Sequence, residues 1–254
     1  MKIEHKKIVD GVLRVTTTDE RWYFIDGAYV PSVTWQAGFY PKGVGFYKWL
    51  ANQKNWDEAE AFKEARGAIG TVAHAAVSDL LKGKTVAHNA KYFDDRVGTE
   101  REITLEEYEA VMSFDRWHQR VQPKLLLEDV TVVSTSNGYA GTLDIAFQIG
   151  PDIVLTDLKI SSSVWPSYEL QVSAYQHADY YLDKKGNKLP LPKITKRMIL
   201  QLGYSRNRDG YKENYVEDKF DLYLVTQKIW ANETFGEKPL QKDYPLSITL
   251  NQEK

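Results

Sequence analysis

The sequence predicts an α/β protein in which a central mixed β-sheet is flanked by helices and preceded by a small N-terminal β-meander. Between residues 104 and 204, a helical pattern is followed by three stretches of period-two alternation, a second helical pattern and a further strand. Hydrophobic residues make up 43% of the 254 residues, which is enough to build a full core. We expect one domain over residues 1–254, with a β-rich entrance (1–45), a core (46–235) and a C-terminal tail (236–254).

The N-terminal part of the chain is predicted to form a meander followed by three helices. Residues 8–35 alternate short apolar runs with turn signals of the Asp-Gly type. Helical patterns follow at residues 46–50, 56–66 and 69–81. Gly67 and Gly70 are expected to separate the last two helices. The polar, aperiodic residues 84–103 are expected to form a loop.

The core is predicted to begin with a helix and to continue as a sheet. Thr104 and Glu107 have the spacing of a capping box, which would open a helix that ends near Val121. Three successive strands are expected next, with hairpin turns at Asn137-Gly138 and Gly150-Pro151. These strands cover residues 125–135, 141–149 and 153–160.

Two helices and two strands complete the predicted core. Pro166 suits the first turn of a helix, and the turn Asp209-Gly210 separates the two strands. The predicted helices cover residues 166–182 and 219–234, and the predicted strands cover residues 197–204 and 211–216.

The three successive strands carry charged residues in an arrangement that suits metal-dependent hydrolysis. Asp144 lies on one strand, whereas Asp157 and Lys159 lie two residues apart on the next, so the period of two puts this pair on one face. Two carboxylates brought together by a hairpin are suitable ligands for Mg²⁺ or Mn²⁺, and the Leu158 carbonyl could complete the coordination. A lysine beside them could orient or help deprotonate a metal-bound water, or stabilise charge on a phosphate.

The alternative interpretation of the Asp157–Lys159 pair is an exposed ion pair, because a D-x-K triplet on a strand usually lies on a solvated face. The apolar neighbours Val154, Leu155 and Ile160 favour an internal strand. A charged pair on an internal strand needs a partner or a metal.

Two helices add further polar candidates. His74 lies among small residues that would let its helix approach the sheet, and it could be a metal ligand or a hydrogen-bonded core residue. Gln171 and Tyr175 are spaced i, i+4 and share one helix face. They could contact a phosphate or a base, or Tyr175 could be core and Gln171 a surface amide.

Four short motifs occur in order along these elements. They are Gly70-Thr71-x-x-His74, Gly141-Thr142-Leu143-Asp144, Asp157-x-Lys159 and Gln171-x-x-x-Tyr175. In this order they resemble the RecB-like exonuclease branch of the PD-(D/E)XK nuclease superfamily. Residues 30–34 and 41–49 are similar to segments of phage exonucleases and of the mitochondrial genome maintenance exonuclease in that branch. The resemblance covers about residues 30–235.

This resemblance implies a restriction-endonuclease-like core that hydrolyses phosphodiester bonds of DNA through a water activated by Mg²⁺ or Mn²⁺. It implies metal ligands at His74, Asp144 and Asp157, and a catalytic lysine at Lys159 acting with the two aspartates. Gln171 and Tyr175 would support the site and touch DNA.

The chain departs from the family pattern in two respects. The proline of the superfamily name is absent before Asp144, where Leu143 stands. The sequence also contains no cysteine, so the iron–sulfur cluster of some relatives is excluded, as are disulfides and thiol nucleophiles.

Glu128 is a further candidate metal ligand, because the family tends to place a carboxylate upstream of the G-T-x-D segment. With a two-residue turn at Asn137-Gly138, Asp144 would face Thr131. Glu128 would then point to the opposite face, and Asp129 would lie on the metal side. A bulge or a longer loop would reverse that assignment.

The charge of the chain is unevenly distributed. The 33 basic and 35 acidic residues give a formal net charge of −2, which by itself does not indicate a nucleic-acid partner. Residues 184–212 nevertheless contain nine basic residues and one acidic residue. This window could be ordinary solvated surface, or it could neutralise a DNA backbone. The candidate DNA contacts within it are Lys196, Arg197, Arg206 and Arg208.

The function predicted from the sequence is therefore a metal-dependent exonuclease acting on single-stranded or duplex DNA ends, with a recombination or replication protein as a candidate partner. The alternatives are a nucleic-acid-binding or assembly module that keeps the nuclease fold without turnover, and a hydrolase of another phosphoester. No apolar run approaches the roughly 20 residues that span a bilayer, and the N-terminus lacks a targeting pattern. We expect no membrane association and a cytoplasmic location in a bacterial or phage-infected cell.

Overall fold

A computed structural model of the protein describes residues 4–17, 20–94, 96–234, 236 and 238–239, and these form thirteen strands and six helices. The strands are β1 (Glu4–Val9), β2 (Val12–Thr16), β3 (Arg21–Ile25), β4 (Ala28–Pro31), β5 (Lys91–Asp94), β6 (Thr99–Glu102), β7 (Lys124–Ser134), β8 (Tyr139–Ile149), β9 (Asp152–Lys159), β10 (Tyr180–Leu182), β11 (Lys188–Leu189), β12 (Lys196–Leu202) and β13 (Tyr211–Val216). The helices are α1 (Val33–Ala37), α2 (Val44–Ala51), α3 (Trp56–Leu81), α4 (Leu105–Val121), α5 (Pro166–Gln176) and α6 (Phe220–Thr234). Most of the predicted C-terminal tail lies outside the described residues.

The largest sheet has seven strands in the order β11-β10-β7-β8-β9-β12-β13. β9 and β12 run parallel, whereas the other neighbouring strands run antiparallel. Strands β1 to β4 form a separate antiparallel meander in sequence order. The predicted mixed sheet and the predicted N-terminal meander are therefore confirmed.

Helices cover both faces of the large sheet, and each face has its own apolar core. On one face, α3 and α4 pack Ala73 and Phe114 against sheet residues that include Leu158. On the other face, Leu170 of α5 and Tyr223 of α6 belong to a second core. A residue pointing to either side of the central strands is thus enclosed, as the mixed α/β prediction requires. None of the helices in the described part of the chain is long and apolar enough to cross a bilayer.

The predicted break between two helices at Gly67 and Gly70 is wrong, because α3 continues through both glycines. A glycine inside a helix costs about 1 kcal/mol relative to alanine. Burial of Val72, Ala73 and other small residues of α3 against the sheet offsets that cost. The result is one helix of 26 residues that extends well beyond the sheet contact.

Residues 84–103 are not the featureless loop that was predicted, because they contain the β5–β6 hairpin. Arg101 ties this hairpin to the start of α4: its Nε lies 2.6 Å from Asp94 Oδ2, and its Nη2 lies 2.6 Å from Glu107 Oε1. The capping box formed by Thr104 and Glu107 is confirmed. Ion pairs, together with the packing of Tyr92 against an apolar cluster that includes Val72 and Ile103, hold the hairpin.

Helix α5 ends at Gln176, so the prediction that it extends to residue 182 is wrong. The Asp179 carboxylate accepts hydrogen bonds from the backbone N–H groups of Thr135 and Ser136, at 2.7 and 2.9 Å. These bonds turn the chain, and Tyr180–Leu182 then pair with β7 as strand β10. The alternation of apolar residues in this stretch fits a helix and a strand equally well, and long-range contacts decide between them.

Candidate active site

The candidate site lies where strands β8 and β9 separate. Their pairing begins at Ile149 and Asp152 and ends at Ile145 and Thr156. Beyond that point the Leu158 N–H donates to Asp144 Oδ2, at 3.0 Å, so a side-chain carboxylate replaces a carbonyl of the neighbouring strand. β9 meanwhile stays paired with β12 as far as Lys159. The separation opens the sheet next to the residues predicted to carry the chemistry.

Asp157 is a buried carboxylate with two partners. Only 1% of the residue is exposed. Its Oδ1 accepts from Gln171 Nε2 at 3.1 Å, and its Oδ2 lies 2.6 Å from Lys159 Nζ. The short Asp157–Lys159 distance confirms that both side chains lie on one face. Burial, reinforced by the charge of Asp144 and opposed by Lys159, raises the pKa of Asp157 to about 6.

Lys159 is held as a cation. Burial lowers the pKa of its ammonium group, but Asp157 and Asp144 outweigh burial, and the pKa of Lys159 lies above its usual value. The ammonium also lies 4.8 Å from the centre of the Tyr168 ring, which adds a cation–π contact. A lysine that stays protonated at neutral pH is suited to stabilise negative charge and not to accept a proton.

Gln171 and Tyr175 form a buried layer behind Asp157. Gln171 Nε2 donates to both Asp157 Oδ1 and the Tyr175 hydroxyl, the latter at 3.0 Å. The Tyr175 ring packs directly on Gly141, where an added Cβ would lie 2.3 Å from Tyr175 Cε1. Both side chains are buried, so little of either is open to DNA here, and the hydrogen bond places Gln171 against the Asp157 carboxylate.

His74 approaches the same strands from the opposite face of the sheet. Its Nε2 lies 3.0 Å from the Leu158 carbonyl oxygen, and its Nδ1 lies 3.8 Å from Asp144 Oδ2. A carbonyl oxygen can only accept, so Nε2 carries the proton and donates. In the neutral ring, Nδ1 is then an acceptor 3.8 Å from a carboxylate oxygen, and two such acceptors are the kind of pair that a cation can bridge.

The donor atoms at this point are of kinds that a divalent cation uses. His74 Nδ1 and Asp144 Oδ2 lie 3.8 Å apart, and these two residues would supply an imidazole nitrogen and a carboxylate oxygen to such an ion. The second carboxylate, Asp157, is close enough for its pKa to respond to Asp144 and His74. Among the described residues, however, no three His, Asp or Glu side chains already stand together as a metal-binding group.

Glu128 lies on the α3 side of the sheet, as His74 does. Its carboxylate accepts from the Ser78 hydroxyl and lies 3.6 Å from Lys82 Nζ. The predicted two-residue turn is wrong, because Ser134 pairs with Tyr139 across a four-residue loop.

A local change in backbone conformation turns Glu128 toward α3. Asp129, opposite Asp144 in the register, has a left-handed backbone with φ 48° and is exposed. The regular alternation of side chains along β7 is therefore interrupted at this residue.

The basic window of residues 184–212 is not one surface. Lys196 lies 2.7 Å from Asp152 Oδ2, and Arg197 contacts Gln176 and Asp218, all at the start of β12. Because β9 and β12 are parallel, this end of β12 is remote from Lys159, which pairs with Gln201. Along the strand the separation is about 16 Å. Lys196 and Arg197 are thus placed away from the candidate active site.

Arg206 and Arg208 lie beyond the other end of β12, in the exposed turn before β13. Arg206 lines a cleft of about 180 Å³ together with Arg66, Ser161 and Ser162. Arg66 Nη2 also donates to the Ile160 carbonyl at 3.0 Å, next to Lys159. Arg66 was missed by the sequence reasoning, since nothing in its local pattern indicates a contact 94 residues away.

No protein-family model matches this sequence, and no curated protein shows significant similarity to it.

Proposed function

We propose that the protein is a Mg²⁺- or Mn²⁺-dependent deoxyribonuclease, acting as an exonuclease, with a restriction-endonuclease-like core. The observation that carries the proposal is the convergence of Asp144, Asp157, Lys159 and His74 on Leu158, at the point where β8 and β9 separate. These residues come from three elements, α3, β8 and β9, which lie side by side in the fold. All four residues were candidates in the sequence analysis. A buried carboxylate, Asp157, with a second carboxylate and a lysine beside it has no evident structural purpose there.

The four side chains have distinct roles in this proposal. Asp144, Asp157 and His74 would hold the cation, and Gln171 would orient the Asp157 carboxylate. A divalent cation bound there would polarise the scissile phosphate and make an attacking water more acidic. Protonated Lys159 would bind the non-bridging oxygens of the phosphate as negative charge develops. The Lys159–Asp157 ion pair holds the ammonium next to the cation site before DNA arrives.

The cleft lined by Arg66 and Arg206 supports a nucleic-acid substrate. Two arginines, three serines (Ser161, Ser162 and Ser205) and Glu106 line it at the C-terminal ends of β9 and β12, beside Lys159. Arg66 is already paired with Glu106, whose Oε1 lies 2.5 Å from its Nη1, so Arg206 and the serines are the groups offered to a phosphate. Arginine binds phosphate with a planar pair of donors, and serine adds a hydroxyl donor. This cleft would hold a phosphate next to the scissile one.

The proposal is tested with single-stranded and duplex DNA labelled at the 5′ or the 3′ end, incubated with Mg²⁺ or Mn²⁺. We expect Asp157→Ala and Lys159→Ala to lower the cleavage rate by at least about a hundredfold, because each removes charge stabilisation from the reacting centre.

Asp152→Ala is the matched control for Asp157→Ala. It removes an aspartate from the same strand, also paired with a lysine, at the end remote from the site, and should cleave like the wild type. Undiminished cleavage by both active-site variants would overturn the proposal. DNA binding by the wild type without cleavage under either cation would instead support a binding module.

A further inference from the structure

Helix α2 is an apolar helix without a buried residue. Its sequence VGFYKWLA is rich in large side chains, yet none of them is buried. Val44 is 69% exposed and Tyr47 is 58% exposed. Exposed apolar surface of this extent generally marks a binding site.

Four aromatic rings of α2 and α3 form a contiguous surface, here called the aromatic platform: Phe46, Tyr47, Trp49 and Phe62. The ring centres of Phe46 and Trp49 are 5.7 Å apart, and those of Trp49 and Phe62 are 5.9 Å apart. Tyr47 adjoins Phe46 at 5.7 Å. Phe62, on the N-terminal part of α3, is 52% exposed. The platform is therefore a row of rings with partly exposed members, Phe46 and Trp49, between two that are more than half exposed, Tyr47 and Phe62.

The charges around the platform favour an anionic partner. No acidic residue occurs between Asp26 and Asp57, whereas Lys42, Lys48 and Lys54 lie in that interval. Desolvation first, and the ammonium of Lys63 second, lower the pKa of Lys42, so a lysine of α3 lies close to the lysine that precedes α2.

The acidic residues of α3 near Phe62 are turned away or engaged elsewhere. Glu60 and Glu64 lie two residues before and after Phe62, so they project from the opposite side of the helix, as its 3.6-residue period requires. Glu58 shares the face of Phe62, but its carboxylate accepts from the backbone N–H of Lys54 at 2.7 Å, at the start of the helix. The lysines therefore determine the charge on the side of the platform along α2.

The platform is connected to the candidate active site through α3. Phe62 and Arg66 are one turn apart and share a helix face. Arg66 in turn donates to the Glu106 carboxylate, at 2.5 Å, and to the carbonyl of Ile160, the residue after Lys159. A strand that lies on the rings and follows this face of α3 would thus reach the end of β9 beside Lys159.

We propose that the aromatic platform binds single-stranded DNA by stacking unpaired bases on its rings, with the neighbouring lysines contacting phosphates. This inference rests on the proposed nuclease function and specifies the form of the substrate. Only unpaired bases expose the π-faces that stack on aromatic side chains, whereas duplex DNA hides them within its own stack. Interleaved aromatic and basic residues are the usual composition of single-strand binding surfaces.

The test measures binding of a fluorescent oligo(dT) by anisotropy in EDTA, with a DNA hairpin of equal nucleotide count as the duplex probe. We expect the double variant Tyr47→Ala with Phe62→Ala to bind oligo(dT) at least about tenfold more weakly than the wild type, because it removes two stacking faces. Tyr47→Phe keeps the ring and should bind within about twofold of the wild type.

Phe93→Ala is the matched control, because Phe93 is 53% exposed and lies on strand β5, outside the platform. It should leave oligo(dT) binding unchanged. Thermal unfolding of each variant confirms that the fold is intact, which is expected since the substituted rings are more than half exposed.

Three results would overturn the inference: wild-type affinity in the double variant, equal affinity of the wild type for oligo(dT) and the hairpin, or a dimer of the wild type that the double variant dissociates while oligo(dT) fails to bind. The proposed function fails in a different way, through absence of cleavage with Mg²⁺ or Mn²⁺. Because binding in EDTA requires no hydrolysis, the two failures are distinguishable.

Discussion

Asp157 carries a carboxylate that the fold makes unusually hard to ionise, although the sequence pattern around it is simple. The strand period correctly predicted that Asp157 and Lys159 share a face, since neighbouring residues on a strand alternate regardless of context. The i, i+4 spacing likewise placed Gln171 and Tyr175 together. A core position for Tyr175 was one of two interpretations, and Gly141 decides it, because this glycine lies on another strand and admits the Tyr175 ring. The burial of Gln171 was not predicted.

The raised pKa of Asp157 predicts a pH-dependent stability of the metal-free protein. The carboxyl group has a pKa of about 6 in the fold, against an ordinary value of 3.8. Between these values the folded state binds more protons, so this contribution is fully present below about pH 4 and is lost as the pH rises through about 6. It amounts to about 1–3 kcal/mol.

Urea unfolding in EDTA from pH 4 to pH 7 measures this contribution. Relative to Asp157→Asn, which cannot titrate, the wild type should become progressively more stable as the pH falls from 7 to 4. A stability difference between the two proteins that stays constant over this range would contradict the assigned shift.

At the scale of elements, most helices and strands of the core could be predicted, and the errors have a common origin. Periodicity and caps identified α4 and the strands from β7 to β9, because local sequence decides those features. The extent of α3 through Gly67 and the strand β10 after α5 were not predicted. Both depend on contacts with distant parts of the chain, which local patterns do not contain.

Two glycines, Gly141 in β8 and Gly67 in α3, allow a prediction about the stability of the protein. Gly141→Ala should destabilise the protein by about 2 kcal/mol or more and lower the cleavage rate, because its Cβ would displace Tyr175 and, through Gln171, the Asp157 carboxylate. Gly67→Ala is the matched control: it has open space around it inside α3 and should stabilise the protein by up to about 1 kcal/mol. Urea unfolding and the cleavage assay report both effects. Equal stability changes in the two variants would show that Gly141 is not required for packing.

At the scale of the whole molecule, the sheet redistributes charge that is contiguous in the sequence. Lys196 and Arg197 lie at one end of β12, and Arg206 and Arg208 lie beyond the other. The lysines at 184 and 185 precede β11, on the opposite edge of the sheet from β12 and β13. A window of charge predicts a binding surface only when the chain stays on one side of the molecule, and here it crosses the sheet.

This separation predicts different effects for basic residues of the same window. The double variant Arg206→Ala with Arg208→Ala should weaken binding of single-stranded DNA and make the slope of log Kd against log salt shallower, by about 0.7 for each phosphate that the protein no longer neutralises. Lys184→Ala with Lys185→Ala removes the same charge at the far edge and should change neither quantity. Anisotropy titrations between 50 and 200 mM salt, roughly the range over which such slopes are measured, provide the comparison. If the lysine double variant weakened binding more than the arginine double variant, the DNA would have to run along the β11 edge of the sheet instead.

Because α3 is one continuous helix, it fixes the distance between the residues at its two ends. Phe62 and His74 are twelve residues apart on one helix, so about 18 Å along its axis would separate the proposed stacking surface from the proposed hydrolytic centre. An oligonucleotide long enough to span that interval would bind the aromatic platform and the catalytic centre at once and would therefore bind more tightly. A shorter one would bind only one of the two sites. Digestion would therefore slow abruptly below a threshold length, and the limit products would share that length whatever the sequence of the DNA.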